Sequence, residues 1–291
     1  MREGGLDAEV FAIWTNQRVF RSGQRLRFVL KALRDFKAVC RRDRGLGLAL
    51  DPNDVFSARS EARIAGILGV EGGHALEGDI GNLDRLHRVG VRVLTLTWNT
   101  SNELARSCMA LDGRRRGLTR LGREAIARMN RLGMVIDLSH ASDRTFSDVL
   151  EVSSAPVICS HSACRALRDF PRNLTDRQLR DLGQAGGMVG IVFLPYFIHR
   201  DHTKVTLDQV VDHIEQAASA AGIDSVGIGS DFDGFGDPPP VGLEDVTRLP
   251  ALAARLHERG FSQPEVDKVM GGNFLRVWAQ IAGSGPKVLA D

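Results

Sequence analysis

The sequence is short of cysteine. It holds only Cys40, Cys108, Cys159 and Cys164, and no two of them form a Cys-x-x-Cys pair. A disulfide scaffold is excluded for a chain long enough to bury a large core, and the usage fits a reducing compartment. No run of about eighteen apolar residues occurs, so no segment reads as a membrane-spanning helix. The start, "MREGGLDAEV", has no apolar signal core, and the end, "GSGPKVLAD", has no anchor tail. With the N-terminus taken as complete, these absences predict a soluble cytoplasmic protein without a membrane anchor. A strong charge of either sign is also missing: the net charge is +2. The one basic cluster, "DGRRRGLTR", is short and lacks interleaved aromatics, which predicts a solvated loop and no nucleic-acid partner. No G-x-G-x-x-G follows a strand-like run, so the usual mark of dinucleotide binding is absent.

What is present is ordinary globular composition, 43% hydrophobic and 25% charged over 291 residues. Short, near-continuous apolar runs predict strands over 8–15, 62–71, 91–98, 134–140, 156–161, 188–195 and 225–233. Runs that do not alternate mark strands buried on both faces. Helix-like segments separate them, at 22–42, 118–133, 142–153, 174–187 and 206–222. Thr119 and Gly133 are suited to cap the second of these. "DPPPVG", residues 237–242, reads as a stiff loop too short to divide domains. Strand and helix in alternation predict a parallel sheet. The fold class expected is α/β, a TIM-type (β/α)₈ barrel, as one domain over residues 1–291. Seven of its eight strands are found.

The polar residues of these runs gather at their ends: Glu71, Trp98, His140, His161 and Asp231. In a parallel barrel such positions share the C-terminal rim, where active sites lie. "MVIDLSHASD" and "PVICSHSACR" both end an apolar run on Ser-His. A lone strand-end histidine is usually a hydrogen-bonded structural residue. Two at matching ends, with Glu71 at a third, are the nitrogen and carboxylate ligand set of a hydrolytic zinc site.

The stretches "GVEGGHAL", "GLTRLGREAIARMNRLGMVIDLSHAS", "PVICSHSACRALRDFPRNLTD", "GIDSVGIGSDFDG" and "VMGGNFLRVW" occur in this order. Together they resemble the membrane (renal) dipeptidase family of zinc peptidases, from about residue 5 to residue 280. The resemblance implies that Glu71 bridges two zinc ions and that His140 and His161 bind one of them. It implies that Arg172 of "PRNL" holds the terminal carboxylate of a dipeptide substrate. Asp231 of "SDFDG" would lie against the metal and handle protons, so that Glu71 and Asp231 are the catalytic carboxylates. The competing, less favoured readings are a surface arginine for Arg172 and a strand-end cap for Asp231. Asp233 reads as structural, His74 as a residue orienting its loop, His213 as structural, His87 and His257 as surface residues, and "GGNF" as a packing turn.

Two departures stand out. The family carries a His-x-Asp motif on its first strand, which supplies ligands of the second zinc. No strand with that motif is found, so the expectation is an N-terminally incomplete barrel with one or two zinc ions. The only literal His-x-Asp, His199-Arg200-Asp201, falls beyond a different strand and reads as coincidence. Second, Trp98 stands where some family members have a histidine that serves the tetrahedral intermediate. Trp98 is placed in the substrate site, where its indole N–H can donate one hydrogen bond. The function expected is zinc-dependent hydrolysis of dipeptides. Hydrolysis of other amides or β-lactams on the same site, and an impaired or inactive truncated member, stay open. The family's dimers leave a homodimer open as well.

Overall fold

The computed structural model of the chain describes residues 1–113 and 115–283. Arg114 of the basic stretch and the terminal segment read above as free of an anchor, from residue 284 on, lie outside the described residues. The chain folds as two compact units. One holds Asp7–Pro156 with the chain from Trp278 on, and the other holds Met1–Leu6 with Val157–Val277.

In the first unit the apolar runs become β1 (Ala8–Trp14), β2 (Leu46–Ala49), β3 (Ile64–Glu71), β4 (Val91–Thr95) and β5 (Val135–Asp137). All pairings are parallel: β1 on β3, β3 on β4, β4 on β5, with β2 on the first half of β3. Every residue of β3 from Ile64 to Val70 is buried, and only its last, Glu71, reaches solvent. A strand covered on both faces has to be apolar along its whole length, which is why "IAGILGV" does not alternate. β2 was not expected. It is four residues long, and so short a run carries no usable period.

Helices between the strands follow their capping signals. Thr119 accepts the Gly122 N–H at the start of the helix Arg120–Leu132, and Gly133 ends it at φ 67°. Ser142 caps Asp143–Val152, and Thr175 with Gln178 forms a capping box on Asp176–Gln184. The helices Pro52–Ser60, Gly81–Arg88 and Leu249–Glu258 were not anticipated. The first of them has a legible start, an Asp51–Asp54 capping box with proline at the first helical position. Among the described residues no helix is long and apolar enough to cross a membrane. Arg115, Arg116 and Arg120 of the basic stretch are exposed, as a solvated loop requires.

In the second unit β6 (Ile158–Ser162), β7 (Met188–Ile191) and β8 (Val226–Ile228) pair parallel in chain order. The three strands approach closely around the Ser160 carbonyl. A Cβ on Gly190 would stand 2.2 Å from that oxygen, and one on Gly229 would stand 2.0 Å from it. "GGNF" packs as expected but is not a turn: it lies at a kink between helical segments, where Asn273 opens the helix Asn273–Ala282 and its Nδ2 donates to the Ile223 and Val226 carbonyls, both at 2.7 Å.

Four expected strands overshoot. The runs read as 91–98, 134–140, 188–195 and 225–233 end as strands at Thr95, Asp137, Ile191 and Ile228. His140 at φ 67° and Asp231 at φ 60° lie in the left-handed region, which no β-ladder accommodates. Both residues stand on the turns that follow their strands.

His213 is buried and structural, as read. The Cys164 N–H donates to its Nδ1 at 3.0 Å, which leaves the proton on Nε2 to be donated to the Ile198 carbonyl, also at 3.0 Å. Burial holds its pKa below the usual histidine value, while the same burial pushes the Cys164 thiol up to about 12. Because the folded pKa is depressed, the unfolded chain takes up the proton first. This contribution to stability is complete above the ordinary value of about 6.5 and is lost as pH falls toward the folded pKa. Urea unfolding between pH 7 and pH 5 is expected to show falling stability, with a shallower fall in a His213→Gln variant. At pH 7 His213→Leu is expected to cost about 1–3 kcal/mol, because it leaves the buried Cys164 N–H unmet.

Candidate functional site

Glu71 closes β3, where the register sets it beside Trp14 of β1 and Thr95 of β4. β5 ends on Asp137, a fully buried carboxylate. Its two oxygens accept the Thr95 hydroxyl at 2.6 Å and the Ser139 N–H at 3.0 Å. These bonds turn the chain out of the strand, and three residues on stands His140. A left-handed conformation costs a non-glycine residue about 1–2 kcal/mol, so the surroundings must impose it. They do so through the loop after β4. The Cys108 N–H donates to the His140 carbonyl at 2.8 Å, and the Ser142 N–H to the Arg106 carbonyl at 3.0 Å.

The outcome is a carboxylate and an imidazole in contact. His140 Nε2 lies 2.9 Å from Glu71 Oε1, and His140 Nδ1 lies 2.9 Å from Asn99 Oδ1. Both ring nitrogens thus face oxygens that accept hydrogen bonds. A neutral imidazole carries one N–H, so one of these contacts needs an added proton or a cation between its atoms. An imidazole nitrogen and a carboxylate oxygen are the donors that zinc takes. Asn99 was missed in the sequence, where nothing distinguishes it from other loop polar residues.

The segment "VEGGH" is shaped by close approach. A Cβ on Gly73 would stand 2.6 Å from Leu104 Cδ1 and 2.7 Å from the Leu96 carbonyl. That fit brings in His74, whose Nε2 meets Thr100 Oγ1 at 3.0 Å. Beside it, Asn102 Nδ2 donates to the Leu96 carbonyl at 2.7 Å, while Asn102 Oδ1 accepts the Leu104 N–H at 2.9 Å. His74 is buried with its pKa lowered by desolvation, and it braces the loop, in keeping with its expected role. Trp98 lies past the end of β4, its ring 6.2 Å from that of His140 and 4.8 Å from that of Trp14. Trp14 is a second residue the sequence did not mark. Its position at the end of β1 was the available signal.

In the second unit His161 sits on β6, buried, with its Nδ1 2.8 Å from Ser160 Oγ. Arg172 donates from Nη2 to the His161 carbonyl at 3.1 Å and lies over the Phe197 ring at 5.2 Å. Only 4% of it is exposed, so the surface reading fails. Its Nε has no hydrogen-bond partner among the described residues, which leaves part of a planar donor fork unspent. Asp231 stands on the turn after β8. Its carbonyl accepts the Gly234 N–H at 2.9 Å, and a Cβ on Gly234 would stand 2.0 Å from Asp231 Oδ1. The glycine of "SDFDG" is there to make room for the carboxylate. Asp233 is exposed. His199-Arg200-Asp201 is a local turn on the surface, with the Asp201 N–H donating to His199 Nδ1 at 3.1 Å. His257 is exposed and bonds within its own loop.

The comparisons with known proteins agree with one another. The dipeptidase tcpJ of Claviceps purpurea is 39% identical over 235 residues, 80% of this chain and 55% of that one. The chain spans little more than half the length of the curated relatives it matches. A metallopeptidase from Rhodobacter sphaeroides, solved with a phosphinate mimic of the dipeptide L-Ala-D-Ala, is 28% identical with a TM-score of 0.89. The match covers 97% of this chain and 88% of that one. A dipeptidase named AC, of family M19, is 30% identical with a TM-score of 0.90 over the same shares of the two chains. The fold class is therefore that of the TIM-type α/β barrel, with the seven expected parallel strands present. The model of the membrane dipeptidases (peptidase family M19) matches residues 1–287, nearly the whole length, and the chain belongs to that family.

Proposed function

We propose that this protein is a zinc-dependent dipeptidase in which Glu71, His140 and His161 hold the metal, as one ion or two. The observation that carries the reading is the pair of Glu71, at the end of β3, and His140, on the turn after β5, a carboxylate oxygen and a ring nitrogen 2.9 Å apart. Family membership supplies the reaction class. When bound, the ion would act as a Lewis acid, acidifying a water and polarising the scissile carbonyl. Arg172 anchors the free carboxylate of a short peptide through its planar fork, which restricts the substrate to dipeptides. Asp231 takes the proton from the attacking water and passes it to the leaving amine. Trp98 lines the substrate site and offers its indole N–H.

A second reading keeps the site and changes the substrate. Trp98 packs against the His140 ring where some relatives have a histidine. The metal chemistry does not dictate the acyl group, so the same site could open a β-lactam or cleave an amide with a D-amino acid.

Elemental analysis of the purified protein is expected to find zinc, and Glu71→Gln to lose it together with at least a hundredfold of dipeptide hydrolysis. Activity that survives this change rules the metal mechanism out. Arg172→Met is expected to lower kcat/KM for a dipeptide about 10- to 100-fold, the worth of a hydrogen bond to a charged group. It should leave hydrolysis of the matching C-terminal amide nearly unchanged. A panel of L,L- and L,D-dipeptides with a β-lactam separates the two substrate readings.

A further inference from the structure

Asn99 is exposed, on the loop that follows β4. Its carboxamide oxygen meets His140 Nδ1 at 2.9 Å, on the opposite edge of the ring from Glu71. The loop that carries it is fixed at its base by the Leu96 N–H, which donates to the Asp137 carbonyl at 3.1 Å. It is fixed further along by the Cys108 N–H on the carbonyl of His140 itself. The loop is thus tied on either side of Asn99 by backbone bonds that do not involve the Asn99 side chain.

We propose that Asn99 is the positioning residue of His140, which selects the ring nitrogen and the ring orientation offered to a divalent metal beside Glu71. The inference rests on the metal reading above. A carboxamide oxygen can only accept, so the single N–H of a neutral ring is held at Nδ1. The lone pair is left on Nε2, where Glu71 Oε1 supplies the second donor atom. Without this bond the neutral ring is free to carry its proton on Nε2 and donate it to Glu71. That arrangement satisfies both residues and competes with the metal. Partners on the far nitrogen of a ligating histidine fix its tautomer and raise its basicity. The sequence signal is weak because the bond spans forty-one positions.

The test uses the whole chain with Asn99→Ala and Asn99→Asp. Zn²⁺ affinity is measured by competition with a chromophoric chelator, and the Co²⁺ form by its visible absorption. Asn99→Ala is expected to weaken Zn²⁺ binding about 10- to 100-fold and to move the Co²⁺ bands. Its metal-free circular dichroism and melting temperature should stay those of the parent. Asn99→Asp, which keeps an acceptor oxygen, is expected to stay within a few-fold of the parent. Parent-like affinity in Asn99→Ala overturns the inference alone. An equal loss in both variants, or a metal-free melting temperature lowered in Asn99→Ala, overturns it as well. A parent chain that takes up neither metal overturns the metal reading, and the inference with it.

Discussion

The geometry of the first unit's site depends on one buried carboxylate. Asp137 ends β5 by accepting the Thr95 hydroxyl across the register and the Ser139 N–H beyond it. Such a buried polar group is tolerated in the interior only while its oxygens are met by hydrogen-bond partners. The need to meet them dictates both the end of the strand and the direction of the turn. His140 is delivered by that turn, and the loop after β4 closes over it from the other side. The contact with Glu71 is thus the last step of a chain of local requirements, and no flexible side chain reaches across to make it.

Glycine sets the remaining distances. Gly73 admits Leu104 and the Leu96 carbonyl, and Gly234 admits the carboxylate of Asp231. Around Ser160 two glycines let three strands approach within backbone contact. In each case the absent side chain is what places a polar one. Motifs such as "VEGGH" and "SDFDG" are therefore packing statements as much as chemical ones.

Most of the fold was legible because its signals are local. β3 is apolar at every buried position, and Thr119, Ser142 and Thr175 announce the helices they cap. β2 was not legible, since four residues beside a longer strand leave no period to read. Strand ends were read too far because apolarity continues past the point where φ turns positive at His140 and Asp231. At the site, Glu71 was legible from its strand-end position and His140 from the apolar run before it, but their contact depends on the turn after β5, which the sequence did not show. Asn99 and Trp14 were not found. One acts through a hydrogen bond across loops, and the other through its place opposite Glu71 in a pairing that only the folded sheet defines. Arg172 was identified by resemblance, but its burial over Phe197 was not visible in "PRNL".

The two left-handed residues, His140 and Asp231, have an evolutionary side. A backbone at φ near +60° suits glycine or asparagine, and aspartate tolerates it as well, so any relief, of up to about 1–2 kcal/mol, falls on His140 rather than on Asp231. At His140 a glycine or asparagine would ease the backbone but take the imidazole away from Glu71. On the proposed metal reading, the identity of that one residue in a descendant would report whether the site has been kept.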